Sequence, residues 1–249
     1  MRAQKPPPLQ TATDVQDVLK RLADPARVPA LQRFFKTGRG QYAEGDRFRG
    51  LKVPQIRSVL RPAASLPRPE LEELLASPWH EDRLIGLLVV VRRFQRADTG
   101  ERRALFRFYL AQAQAGRINN WDLVDATAEH IVGGWLHDRP ERERTLDRLA
   151  RSPSLWKRRI AVLATLHFIR RGECSDTLRL ATLLLDEPHD LIHKALGWML
   201  REVGKRNRVA LDDFLASYAT RMPRTMLRYA IEKHSANERR RWMSARKVP

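Results

Sequence analysis

Apolar positions recur along nearly the whole chain at the three-and-four spacing of an α-helix, and strict strand-like alternation persists nowhere. The pattern predicts a helix over 14–24, stopped by Pro25, and a second running through Phe34 and Phe35. Further helices are predicted near 54–61, 68–76, 79–96, 100–115, 119–137, 140–151, 155–171, 175–186, 189–206, 208–219, 222–233 and 236–243. Breaks fall at Pro62, Pro67, Pro78, Gly116, Pro140, Pro153, Gly172, Pro188 and Pro223, where the backbone loses a donor or gains freedom. The longest predicted loop is KTGRGQYAEGDRFRG, beginning at Lys36, and loops of this length often carry function.

A repeat underlies these helices. The strongest amphipathic segments begin at His80, Asn119, Leu155, His189 and Pro223, so their starts lie 39, 36, 34 and 34 residues apart. Shorter helices such as RTLDRLARSP and DTLRLATLLLD sit between them. A helix–turn–helix unit at this pitch is the mark of a HEAT-like α-solenoid. The expected fold is therefore all-α: a right-handed α-solenoid of HEAT-like helical repeats with a concave basic groove. A single domain over 14–237 is expected between a disordered leader (1–13) and a basic C-terminal tail (238–249).

Charge turns this scaffold toward a polyanion. Lys and Arg number 47 against 29 Asp and Glu, a formal net charge of +18. Such an excess attracts nucleic acid through long-range attraction and counterion release. Arginine dominates, and its planar fork suits phosphate. The chain has no run of eighteen apolar residues, so no membrane span is expected. Its N-terminus, MRAQKPPPLQTATD, lacks the apolar stretch of a secretory signal. The single cysteine, Cys174, fits a reducing compartment. A monomer in the bacterial cytoplasm or nucleoid is the expectation.

Candidate chemistry gathers on three successive repeats. In NNWDLVDATAEH, Trp121 and Asp125 are four apart and share a helix face. One repeat on, Arg159 follows Trp156, and one further on Trp198 and Arg201 are three apart. If the repeats stack at the observed pitch, these side chains converge in one groove. An alkylated ring nitrogen makes a base cationic and a good leaving group, and cleaving its glycosidic bond builds positive charge on the sugar. A carboxylate can stabilise that charge and position water. Indole faces attract cations, and arginines hold flanking phosphates. No metal, nucleotide cofactor or covalent lysine is needed, so no cofactor is expected.

On the residues alone, two plainer readings stay open. Asp125 and Arg159 could form an ion pair between repeats, and Trp121 and Trp198 could be core fillers. Trp79, Trp135 and Trp156 sit in apolar stripes and are expected in the core. Lys36-Thr37-Gly38 lacks the S-x-x-K and S-D-N partners of a penicillin-binding site. The glycines of that loop do not form a P-loop. His189 and His193, four apart, lack a third metal ligand and read as structural or DNA-facing.

The chain resembles the AlkD-like DNA alkylation repair glycosylases, a HEAT-like repeat family. The matching stretches are FFKTGRGQYAEGDRFRGLKVPQIR, NNWDLVD, LWKRRIAVL, HDLIHKALGWMLREVGKR and MPRTMLRYAIEK, from about Phe34 to Lys233. The resemblance implies a monofunctional glycosylase releasing 3-methyladenine and 7-methylguanine from duplex DNA without drawing the base into a deep pocket. It implies Asp125 as the catalytic aspartate, Trp121 and Trp198 as active-site tryptophans and Arg159 as the active-site arginine. Arg201 matches a further DNA-contacting position. Lys194, Lys205, Arg224 and Arg228 are the other expected DNA contacts in these stretches. A tyrosine of the family falls at Gln41, with Tyr42 beside it, so both join the expected DNA-contacting set. The alternative is a non-catalytic HEAT-repeat protein that binds damaged or branched DNA, which would not need Asp125 beside Trp121.

Overall fold

The computed structural model describes residues 7–244 and divides the chain into two compact units, Met1–Thr127 and Ala128–Pro249. Among the described residues the protein is all-α, and the one β-bridge joins Arg47 to Trp79.

The first unit holds α1 (Ala12–Arg21), α2 (Val28–Phe35), α3 (Val53–Val59), α4 (Arg68–Ala76), α5 (His80–Phe94), α6 (Thr99–Gln114) and α7 (Trp121–Asp125). Local chemistry sets these bounds. Thr11 and Asp14 form a capping box on α1, each accepting from the other's end of the first turn. Asp98 caps α6 by accepting from the Glu101 amide at 2.8 Å. Helix α2 ends on Lys36 in the left-handed conformation, φ 58°. Helix α5 carries Glu81 and Asp82 in its first turn and Arg92 and Arg93 in its last, matching the helix dipole at both ends. Its middle, Leu84 through Val91, is buried all round, so α5 is the central helix on which α4 and α3 pack.

Helix α1 starts at Ala12, and two bonds anchor the segment before it. The Leu9 amide donates to Pro62 O at 2.9 Å, and the Ala12 amide to Glu70 at 2.7 Å. The described part of the expected leader is thus tied to the fold by backbone donors, a correction to its reading as disordered. Its first six residues lie outside the described residues.

The second unit continues with α8 (Gly134–Leu136), α9 (Arg142–Ala150), α10 (Leu155–Ala164), α11 (Leu166–Ile169), α12 (Ser175–Leu183), α13 (Asp190–Arg206), α14 (Arg208–Tyr218), α15 (Arg224–Ala230) and α16 (Ala236–Ser244). It opens with a wide π-helical turn, Glu129–Gly133. Helix α9 packs on α10, α10 on α13, and α13 on both α14 and α15. Ion pairs and hydrogen bonds recur at the repeat interval. Arg142 reaches Glu173 and Asp176, 31 and 34 residues on. Arg179 reaches back 32 to Asp147, Arg201 reaches Glu232 31 on, and Arg208 reaches Glu238 30 on. The pitch read from the sequence is therefore built into side-chain bonds between neighbouring helix pairs. Within the expected tail, residues up to Ser244 are helical, and Arg224 donates to Met243 O at 2.6 Å; the last five lie outside the described residues.

Two long expected helices are broken. The one over 119–137 breaks after Asp125 and resumes as the π-helical turn; at the break the Thr127 hydroxyl bonds back to Leu123 O at 2.5 Å. The one over 155–171 divides at Thr165, whose hydroxyl donates to Val162 O at 2.7 Å.

Gly197 lets α13 approach α15: a Cβ there would lie 2.5 Å from both Met226 O and Tyr229 Cβ. Gly204, on the same helix, would meet only the flexible end of Leu211 at 2.4 Å. Gly197→Ala is expected to destabilise the protein by about 1–2 kcal/mol net of the helix-propensity gain. Gly204→Ala is expected to be neutral or stabilising, because the Leu211 tip can swing away. Thermal midpoints of the two variants measure the contrast; equal midpoints would contradict the close approach.

Candidate DNA-facing site

Helix α7 is only five residues long, too short to persist alone. Tertiary bonds clamp it at both ends. At its start, Asn120 Oδ1 accepts from the Trp121 amide at 2.8 Å, while Asn120 Nδ2 donates to Asp46 at 3.2 Å. Asp122 accepts from His80 Nε2 at 2.8 Å, and His80 Nδ1 contacts Asp46 at 3.0 Å. Arg83 completes the group with a 2.5 Å bond to the other Asp46 oxygen. At its end, Thr127 bonds Leu123 O and also pairs with the buried Tyr109 hydroxyl at 2.8 Å.

Leu123 and Val124 fill the core, which leaves Trp121 and Asp125 half-buried, one turn apart on one helix face. The Trp121 ring is stacked on Phe35, with centroids 5.3 Å apart and planes 15° apart. Phe34 meets its edge at 5.7 Å and is itself 62% exposed. Phe35 packs in turn on Phe48 at 4.9 Å, and both rings lie against His80 at 5.0 and 4.7 Å. The indole is thus held by a column of aromatic rings that ends on the imidazole bonded to its own helix.

Electrostatics follow from this burial. Burial would lower the His80 pKa, but the Asp122 carboxylate, helped by Asp46, pushes it up to about 9. Burial would raise the Asp46 carboxyl, yet the His80 hydrogen bond and the Arg83 charge hold it below its ordinary value. Burial and the nearby Asp125 charge both push the Tyr109 phenol far above its ordinary value, against the bond from Thr127. Next to this group, Glu81 accepts from the Arg49, Gly50 and Leu51 amides at 2.9–3.2 Å, and Asp82 pairs with the Arg49 guanidinium at 2.9–3.0 Å. Gly50 is required there: its φ is +90°, and a Cβ would lie 2.0 Å from Asp24 O.

The remaining expected residues divide between the units. In the first, Gln41 is exposed and folds onto its own loop, its Oε1 accepting from the Gly38 amide at 2.9 Å. Tyr42 is half-buried beside it. In the second, Arg159 is only 4% exposed and donates to Leu191 O at 2.5 Å, which ties α10 to the start of α13. Trp198 is half-buried, its indole N–H donating to Glu202 at 3.2 Å. Arg201 pairs with Glu232, Lys194 with Asp190 at 2.8 Å, and Lys205 with Glu202 at 2.7 Å. Arg224 and Arg228 are exposed on α15.

Plainer expectations also find their places. Trp135 is buried under the Arg139 guanidinium, whereas Trp79 and Trp156 are half-buried rather than core. His189 caps α13 by accepting from the Leu191 amide at 3.1 Å, and His193 donates to Glu187 O. Cys174 is buried, and burial raises its thiol. Among the described residues no group of three His, Cys, Asp or Glu side chains is placed to hold a metal ion. No described helix is long and apolar enough to cross a membrane.

Four residues at this site were not expected from the sequence: Asp46, His80, Asp122 and Phe34. The signal was present in two places. His80-Glu81-Asp82-Arg83 opens an otherwise apolar helix with four charged or ionisable residues, and Phe34-Phe35 ends a helix just before a polar loop.

Titration of two histidines gives stability a pH optimum. The folded value for His80, about 9, lies above the ordinary 6.5, so its stabilisation is complete below pH 6.5 and is lost as pH rises through 9. The folded value for His167, about 4, is depressed by burial and then by Arg171 and His137, so stability is lost as pH falls from 6.5 through 4. Urea midpoints measured from pH 4 to 10 are expected to peak near pH 6.5. A His80→Gln variant is expected to lose the alkaline fall, and an alkaline limb identical to wild type would contradict the assignment.

Comparison with known proteins agrees with this architecture. The profile of the DNA alkylation repair enzyme family matches residues 15–234. A comparison with curated proteins finds no match. Among solved structures, the chain is similar to a predicted DNA alkylation repair enzyme from Enterococcus faecalis, with a TM-score of 0.66 and 16% identity, covering 86% of this chain and 97% of that one. It is also similar to a member of a new family of proteins related to the HEAT-like repeat DNA glycosylases with affinity for branched DNA structures, with a TM-score of 0.59 and 13% identity, covering 97% and 99% of the two chains. These likenesses establish the HEAT-like repeat fold. With the profile spanning nearly all of its length, the chain belongs to the DNA alkylation repair enzyme family.

Proposed function

We propose that this protein hydrolyses the N-glycosidic bond of cationic N-alkylpurines, such as 3-methyladenine and 7-methylguanine, in duplex DNA. The observation that carries this reading is the pair Trp121 and Asp125, half-buried and one turn apart on a helix clamped at both ends. A merely structural pair would not need a five-residue helix fixed by a buried charge group on one side and a buried phenol on the other.

In this reading the leaving base is already positive, so it departs as a neutral purine with the bonding electrons. The sugar C1′ acquires the positive charge. Asp125 stabilises it electrostatically and takes a proton from the water that adds to C1′. The Trp121 face attracts the charged base and packs on the sugar edge, and Phe34 extends that aromatic surface. The products are a free base and an abasic site, with no lyase step, because no amine is assigned as a nucleophile.

Trp198 is the second proposed indole, on α13. Arg224 and Arg228, exposed on α15, are the readiest proposed phosphate contacts. Arg201, Lys194 and Lys205 join them by exchanging carboxylate partners for phosphate, while Gln41 and Tyr42 are proposed contacts from the first unit's loop. Arg159 is the proposed active-site arginine, and its bond to Leu191 O ties it to the start of α13. The +18 charge supplies sequence-independent affinity in the cytoplasm.

A second reading, binding of branched DNA without catalysis, draws on the solved relative described as having affinity for such structures. Incubation with methylated duplex DNA separates the two. The glycosylase reading predicts release of 3-methyladenine and 7-methylguanine by wild type. It predicts a loss of at least about tenfold in Asp125→Asn, with DNA affinity within about twofold. No release by wild type, or unchanged release by the variant, removes Asp125 from this role.

A further inference from the structure

Beyond the residues placed at the reacting sugar, one buried ionisable group has no part in the chemistry yet touches the carboxylates and rings that hold the start of α7. His80 is 2% exposed, on the first turn of the central helix α5. Its two ring nitrogens are spent on two carboxylates from different segments: Asp46 in the loop after α2, and Asp122 in α7. Its ring faces are covered by Phe48 and Phe35, and Phe35 is the ring on which Trp121 stacks. His80 therefore reaches Trp121 by two routes, through the backbone at Asp122 and through the indole at Phe35.

We propose that His80 is a positioning residue for base release: bridging Asp46 and Asp122, it sets the seat of α7 and hence the placement of Trp121 and Asp125. This rests on the glycosylase reading given above. The groups facing the imidazole are few. Asp46 also receives Arg83 and Asn120, while Asp122 also accepts from the Leu123 amide at 2.9 Å. The neighbouring acids on α5 are already satisfied, Glu81 by backbone amides and Asp82 by Arg49 and Ser77. Two carboxylates are thus balanced by one imidazolium and one guanidinium. Neutralising His80 leaves Asp122 facing Asp46 across an uncharged ring, and like charges at this separation in a poorly solvated site push apart. The movable partner is Asp122, on the shortest helix. A displacement of about 1 Å at a reacting geometry lowers rate by about a hundredfold, while a duplex held by phosphates elsewhere still binds.

The test uses the full-length protein with single-turnover release of 7-methylguanine, DNA affinity, and ¹⁹F NMR of 5-fluorotryptophan-labelled protein. The Trp121 resonance is assigned by Trp121→Phe. His80→Gln is expected to slow release at least tenfold with affinity within twofold, and to shift the Trp121 resonance. Asp122→Asn keeps His80 on Asp46 and guards against a variant that fails to fold; in it the resonance is expected to titrate at lower pH than the wild-type midpoint near 9. Adding Asp122→Asn to His80→Gln removes the uncompensated carboxylate and is expected to restore part of the rate. Release within twofold of wild type in His80→Gln, or a Trp121 resonance that ignores both pH and Asp122→Asn, overturns the proposal. Should wild type release no base, the glycosylase reading fails, while the resonance still decides whether His80 seats α7.

Discussion

The half-buried Asp122 carboxylate, joined to the buried Asp46, His80 and Arg83, forms the constraint on which the first unit's site depends. Asp46, His80, Asp122 and Arg83 come from the loop after α2, from α5 and from α7. Removing any one would leave a charge in a medium that solvates it poorly, and such losses cost about 3–5 kcal/mol. The group is therefore strongly self-specifying: each member fixes the position of the others. A helix of five residues with no stability of its own acquires a single position from this network and from the Tyr109–Thr127 pair. Trp121 and Asp125 inherit that position. An exposed carboxylate on a flexible loop would not hold the geometry that stabilisation of a developing charge requires.

The second unit uses its charges differently. Arg142, Arg179, Arg201 and Arg208 meet carboxylates one repeat away, so much of the arginine excess in this unit joins one helix pair to the next. Most of these pairs are partly solvated, and each contributes modestly. Their regular interval makes them a register device as much as a source of stability. Arg224 and Arg228 on α15 are exposed and stand outside these ladders.

Much of this was legible in the sequence, for reasons that differ by level. Helices and their pitch follow from apolar spacing and proline breaks, which are local, so α4, α6, α13 and α16 fall within a few residues of expectation. The pair Trp121 and Asp125 was legible because a spacing of four on a helix fixes a shared face. The breaks near Thr127 and at Thr165 are not legible, because threonine hydroxyls that bond back to the backbone also occur inside unbroken helices, and Thr127 in addition has a distant partner, Tyr109. In the sequence His80 marks only the start of an amphipathic run, since its partners lie 34 and 42 residues away. The burial of Arg159 and its bond to Leu191 O are not legible either, because the partner lies 32 residues away on the next helix pair.

In the proposed glycosylase function a fixed carboxylate and indole serve a base that leaves with its own positive charge. Competition within one duplex tests this: 7-methylguanine and hypoxanthine, placed in the same strand, offer a cationic and a neutral leaving group to the same protein. The account predicts release of 7-methylguanine with hypoxanthine left in place. Comparable rates for the two bases would contradict it.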